Sequence, residues 1–199
     1  MTFSTITLSS SRRRLVIIVL GLLLAFGIVL GQSATPAHAN GAWGGYSNGN
    51  IPLSKMIAVP NGHLRIDAAA GYGSMNAAFK KRFGYELGIT EAYRSYGTQV
   101  KIWNARYVAH SKKVKNSIEY KGKYWTKKKN VSVAAVPGTS IHGWGLAVDL
   151  NSHVNESGSI QKRWADKYGP SYGWYPVGNS FGEAWHFEFT PPKKTTTKK

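Results

Sequence analysis

The sequence predicts one α+β domain: a small, mainly antiparallel sheet with packed helices. Helical periodicity appears in three separated segments, and short alternating runs lie between and after them. No regular strand-helix-strand repetition accompanies them, which argues against a parallel sheet. The 199 residues suit one domain, and 42% hydrophobic content with seven Trp, eleven Tyr and seven Phe provides for a core.

The elements follow in order. From His63 to Phe83 apolar residues recur at helical spacing, Lys80, Lys81 and Arg82 fall where helix C-termini favour cations, and Gly84 stops the helix. Tyr85 to Ala92 reads as a short strand, Tyr93-Arg94-Ser95 as a turn, and about Gly97 to His110 as a second helix. A Lys-rich loop covers 111–137. Leu146 to Leu150 reads as a strand, Ser159 to Tyr168 as a helix, Trp174 to Val177 as a short strand and Ala184 to Thr190 as an alternating strand.

The chain ends differ in kind from this domain. Arg12 to Arg14, an uncharged apolar run from Leu15 to Gly31, and Ala37-His38-Ala39 have the layout of a secretory signal peptide spanning 1–39. An uncleaved anchor is the competing reading, because the run approaches the roughly 20 residues that cross a bilayer. Cleavage after Ala39 leaves a lead segment at 40–63, the main domain at 64–190 and a basic low-complexity tail at 191–199. Over residues 40–199 there are 23 Lys and Arg against 9 acids, a net +14. Residues 111–130 contribute +7 through Lys112, Lys113, Lys115, Lys121, Lys123, Lys127, Lys128 and Lys129 against Glu119, and the tail contributes +4. The basicity therefore belongs to one loop and the tail, either as solvated segments or as a contact for a polyanion.

No cysteine is present, which excludes a disulfide framework, a Cys-ligated zinc finger and a thiol nucleophile. A metal site would use His, Asp and Glu. The stretch Gly138 to Leu150 contains S-x-H-x-x-G-x-A-x-D, running from Ser140 and His142 through Gly145 and Ala147 to Asp149. As an extended strand it puts Leu146, Val148 and Leu150 on one face, and Asp149 beside the small Gly145 and Ala147 on the other, leaving clearance for a metal and substrate. In Glu183-Ala-Trp-His-Phe-Glu-Phe189 the aromatics alternate with His186 and Glu188. A zinc hydrolase needs about three protein ligands, an open position and a carboxylate base. His142, Asp149 and His186 can supply the ligands and Glu183 the base. His153 is a possible replacement ligand, and Glu188 could orient a ligand ring instead. Each histidine could equally be a hydrogen-bonded structural residue.

These motifs, preceded by Tyr93-Arg94-Ser95 and Gln99, resemble the VanY-type D-alanyl-D-alanine carboxypeptidase family of zinc peptidases, which includes L-alanyl-D-glutamate endolysins. The resemblance spans about Leu64 to Phe189. It implies a Hedgehog/D-Ala-D-Ala-peptidase-like fold, zinc held by His142, Asp149 and His186, and Glu183 as general base and later general acid. It further implies that Arg94 binds substrate and stabilises the oxyanion, that Ser140 and Gln99 bind substrate, and that Trp185 lines the pocket. The expected enzyme is a secreted or envelope-bound bacterial zinc peptidase that removes the terminal D-Ala of peptidoglycan stem peptides. The expected further partners are anionic cell-wall polymers, through the Lys-rich loop and tail. No specific nucleic acid is expected, and the chain is expected to be a monomer. The alternatives are cleavage of the L-Ala-D-Glu bond by the same residues, a non-catalytic envelope-binding module and a secreted nucleic-acid binder. The Lys-rich stretch matches no motif of the family.

Overall fold

A computed structural model describes residues 44–190. The signal peptide expected at 1–39 and the tail at 191–199 lie outside the described residues. Among the described residues no helix is long and apolar enough to cross a membrane.

Leu53–Lys55 forms one 3₁₀ turn, and β1 (Ile57–Val59) pairs antiparallel with β2 (Gly62–Leu64). The first helix therefore starts later than the periodicity suggests. α1 spans Ile66–Phe83, because Asn61 adopts φ 53° and turns the chain so that Leu64 pairs with Ile57. Ala68, Tyr72, Met75 and Phe79 form its buried stripe, and Gly84 at φ 85° ends it with its N–H on the Lys80 carbonyl.

The main sheet has four antiparallel strands in the order β3 (Ile89–Glu91), β7 (Ala147–Leu150), β9 (His186–Phe189), β8 (Trp174–Tyr175). All four are shorter than the alternation suggests. Leu146, Val148, Leu150, Phe187 and Phe189 sink into one core with Leu64, Phe79, Ile89 and Trp174. α3 (Ile160–Tyr168) begins where Ser159 accepts the Lys162 N–H at 2.9 Å, the capping expected of Ser. Its buried Lys162 donates to Asp166 and, at 2.7 Å, to Asn179, while its ammonium lies 4.9 Å from the centre of the Phe187 ring. That arrangement gives a cation inside the domain the partners it needs.

The second helix and the Lys-rich loop depart most from expectation. α2 (Tyr96–Arg106) stops four residues short of His110, and Tyr107–His110 becomes β4. β5 (Ile118–Tyr120) and β6 (Lys123–Lys127) complete a three-stranded antiparallel sheet in the order β4-β6-β5. Lys121 at φ 50° and Gly122 at φ 67° make the two-residue hairpin turn between them, the type I′ geometry that fits strand twist. One face of this sheet covers Trp103 of α2. Trp103 stacks on Tyr107 at 3.9 Å and meets Tyr120 and Trp125 edge-on at 5.8 Å, forming a second buried cluster. Lys128 donates to the Ala105 carbonyl at 2.8 Å, capping the end of α2, and Lys127 donates to the Val131 carbonyl at 2.8 Å. The other six lysines of this region are exposed.

Candidate functional site

Register assembles the site. On one face of the main sheet, Asp149 of β7 sits opposite Glu91 of β3 and opposite His186 of β9, while Glu188 lies two residues along from His186. His142 reaches the same point from the 3₁₀ turn Ile141–Trp144 just before β7. Two hydrogen bonds join that turn to the end of β3: His142 Nδ1 with the Ala92 carbonyl at 2.7 Å, and the Arg94 N–H with the His142 carbonyl at 3.1 Å. The lead segment braces it as well, since Asn48 donates to the Ser140 carbonyl at 2.7 Å and the Gly49 N–H to the Gly143 carbonyl at 2.8 Å.

His142, Asp149 and His186 form a group whose possible ligand atoms all lie within 4.8 Å of one another. His142 Nε2 is 3.3 Å from His186 Nδ1 and 3.4 Å from Asp149 Oδ1, and His186 Nδ1 is 3.0 Å from Asp149 Oδ1. Bonds of about 2.0–2.1 Å in a tetrahedron hold their ligand atoms ~3.3 Å apart, so the donors fit a zinc-sized ion without rearrangement. The ring partners fit too. A carbonyl can only accept, so His142 donates from Nδ1 to Ala92, and its Nε2 faces Asp149 and His186. Glu188 Oε1, 3.2 Å from His186 Nε2, leaves Nδ1 of that ring for the ion.

Burial opposes charge on His186, but the hydrogen bonds to Asp149 and Glu188 outweigh it and push the ring up to about 9. Burial likewise works against the Asp149 carboxylate, and hydrogen bonds from His142 and His186 overcome it and hold the group well below the usual carboxylate range. Ion binding must therefore expel the His186 proton. Calorimetric titration of metal-free protein with zinc at pH 7, in buffers of different ionisation heat, is expected to register about one proton released per ion. Apparent affinity should rise ~10-fold per pH unit and level off above about pH 9. A pH-independent affinity would contradict this ligand set.

The cluster lies in a cleft of ≈ 400 Å³, whose walls include Glu91, Arg94, Ser140, Phe181, Glu183, Trp185 and Glu188. A separate hollow of ≈ 570 Å³ near Tyr46, Met56 and Trp144 is lined mainly by apolar groups and contains no His. Arg94 points into the cleft under restraint: its Nε and Nη2 donate to Glu91 at 2.6 and 2.5 Å, and its Nη1 to Gln99 Oε1 at 2.8 Å. These bonds use three of its five N–H groups. Gln99 is 2% exposed and passes its own Nε2 proton to the Ala135 carbonyl at 2.7 Å, so both ends of its amide are engaged by the protein.

Close packing sets the position of Glu183. It follows the 3₁₀ turn Val177–Phe181, its N–H donates to the Gly178 carbonyl at 2.9 Å, and its carbonyl accepts the His186 N–H at 2.9 Å. A Cβ on Gly178 would stand 2.0 Å from the Glu183 carbonyl oxygen and 2.8 Å from the His186 Cβ. Gly178→Ala is therefore expected to cost about 1–3 kcal/mol of stability through overpacking. Urea unfolding of both proteins measures it, and an unchanged midpoint would mean that this turn yields freely.

Of the residues picked out in the sequence, His142, Asp149 and His186 come together, and Glu183, Arg94, Ser140 and Trp185 line the cleft beside them. Gln99 stands behind Arg94. His153 has no part in the cluster, being exposed after β7 and bonded to Glu156 at 2.9 Å. The small residues do not provide clearance. Gly145 is outside the strand at φ 64°, and Ala147 is fully buried. Sequence reasoning missed Glu91, whose signal was its place three residues before Arg94, and Arg106, a further cation of the cleft wall.

The antiparallel sheet thus carries a three-donor N/O centre, with a carboxylate and a guanidinium in the same cleft. The family model VanY, D-alanyl-D-alanine carboxypeptidase, matches residues 61–192. The chain belongs to that family. Among its relatives, the YodJ protein of Bacillus subtilis (strain 168) is 29% identical over 159 residues, covering 72% of this chain and 52% of YodJ. The D-alanyl-D-alanine carboxypeptidase of Enterococcus faecalis (strain ATCC 700802 / V583) is 34% identical over 84 residues, covering 36% of this chain and 31% of that protein. The chain thus spans about half of the first relative's length and a third of the second's. The solved structure of the LD-carboxypeptidase LdcB aligns with a TM-score of 0.49 at 26% identity, over 71% of this chain and 65% of that chain.

Proposed function

We propose that this protein is a zinc-dependent peptidase acting outside the cytoplasm on peptidoglycan stem peptides, and that it removes the terminal D-Ala as a D-alanyl-D-alanine carboxypeptidase. The observation that carries the reading is the spacing of His142 Nε2, Asp149 Oδ1 and His186 Nδ1, 3.0–3.4 Å apart in a cleft that Glu183 also lines. Family membership supplies the substrate class.

His142, Asp149 and His186 would hold the ion, which when bound supplies a Lewis acid for the scissile carbonyl and lowers the pKa of a water to about 7. Glu183 takes the proton of the attacking water on a carboxylate oxygen and delivers it to the leaving amine nitrogen. Arg94 turns its two remaining N–H groups toward the oxygen that gains charge as the carbonyl becomes tetrahedral. Glu91 and Gln99 hold that guanidinium in place, so Gln99 is a positioning residue here. Ser140 and Trp185 contact the peptide from the cleft wall. No covalent enzyme intermediate is required. Lys112, Lys113, Lys115, Lys121, Lys123 and Lys129, all exposed, would attach the protein to anionic wall polymers.

Mass spectrometry of a purified pentapeptide stem incubated with the protein tests the reading, with and without chelator and zinc add-back. The expected product has lost one alanine, in a reaction abolished by chelator and restored by zinc. An internal cut would instead assign the endopeptidase reaction, and no cleavage by metal-loaded protein would refute a peptidase.

A further inference from the structure

We infer that Arg106 forms a second carboxylate-binding subsite in the cleft, one that takes an acidic group of the substrate distant from the scissile bond. This rests on the peptidase reading above and adds to it a preference among stem peptides.

The two guanidinium groups of the cleft differ in their partners. Arg94 is already paired with Glu91 at 2.5 Å. Arg106 lines the same cleft, is half-buried, and makes one described hydrogen bond, from Nη1 to the Val133 carbonyl at 2.9 Å. Among the described residues no carboxylate lies within ion-pairing distance of it. Four N–H donors of a planar, permanently charged fork are left, a shape suited to a carboxylate gripped at both oxygens.

Its position is also set firmly. Gln99, Ile102 and Arg106 follow one another along one face of α2, at steps of three and four residues. Ile102 and Arg106 line the cleft, while Gln99 touches Arg94. The neighbouring wall, Ser132–Ala135, is tied to this helix at two points, Arg106 to Val133 and Gln99 to Ala135 at 2.7 Å, and to the start of β4 at a third, the Tyr107 hydroxyl to Ala134 at 3.3 Å. Seven residues of helix separate Gln99 from Arg106, about 10 Å along the axis. An extended peptide covers that length in about three residues. The acids of the cleft, Glu91, Asp149, Glu183 and Glu188, belong to the sheet side around the metal cluster, so Arg106 gives the cleft a positive outer end. A peptide with its reacting carbonyl at Arg94 and a free carboxylate about three residues away would satisfy both cations at once.

The test compares two stem peptides identical except that this carboxylate is free in one and a primary amide in the other. Steady-state kinetics are measured for the zinc-loaded wild type, Arg106→Gln and Arg106→Lys, with metal content and melting temperature checked for each. The wild type should favour the acid peptide ~10- to 100-fold in kcat/KM, mostly through KM, as a charge-assisted hydrogen-bonded pair would provide. Arg106→Gln should erase that preference, and Arg106→Lys should recover part of it. Equal use of both peptides by the wild type, or an undiminished preference in Arg106→Gln, would overturn the inference while leaving the peptidase reading intact. Cleavage of neither peptide by the wild type would overturn both.

Discussion

Glu183→Gln is expected to keep a full complement of metal and to lower kcat/KM on a D-alanyl-D-alanine peptide by about 10²–10⁴-fold, the usual contribution of a general base. Gln preserves the length and packing of the side chain but cannot accept the proton of the attacking water. The residue stands outside the three-donor group, so ion binding should continue. The backbone bonds that hold it, from its N–H to Gly178 and from His186 N–H to its carbonyl, do not involve the side chain and should persist. Loss should therefore fall on kcat, with metal content by elemental analysis near one ion per chain. Activity within a few-fold of wild type would remove Glu183 from the proton transfer, and lost metal would make it a ligand instead.

His186→Ala is expected to abolish both metal retention and turnover. The ring links Asp149 at 3.0 Å to Glu188 at 3.2 Å, so its removal takes away one donor of the ion and the group that joins two carboxylates in a largely buried site. The affinity lost should exceed the roughly 10–100-fold that removing a ligand's hydrogen-bond partner costs. Glu188→Gln provides that smaller case, because the amide can still meet the ring of His186 without its charge. Ordering these variants by metal affinity, wild type above Glu188→Gln above His186→Ala, separates ligand from orienting partner. Equal retention by all three would place the ion elsewhere.

Much of this site was legible because its residues sit in short motifs whose spacing survives translation into strands. Asp149 and His186 lie in runs of strong alternation, and the sheet pairs them directly. Glu188 was foreseeable as an orienting carboxylate because period two puts it on the face of His186. Other features depend on contacts between segments far apart in the chain. Nothing near His142 announces that its ring answers to the Ala92 carbonyl, or that Asn48 braces its turn. Gln99, a substrate contact by the family resemblance, also has interior partners, Arg94 and Ala135, that come from two other segments. The Lys-rich stretch misled by composition. Its charge suggested a loop, while Ile118, Tyr120 and Trp125, spaced for a hairpin around Lys121-Gly122, bind it to Trp103. The helical pattern likewise runs past Arg106, whereas the aromatic and β-branched residues Tyr107 and Val108 join that sheet.

In the proposed reaction the His142, Asp149 and His186 cluster holds the one ion on which hydrolysis depends. The most direct measurement is a stoichiometric zinc titration of chelator-stripped protein, with D-Ala release from a stem peptide followed at each addition. Activity should begin near zero, rise linearly and break at one equivalent per chain. Undiminished turnover by protein verified to be metal-free would contradict the account.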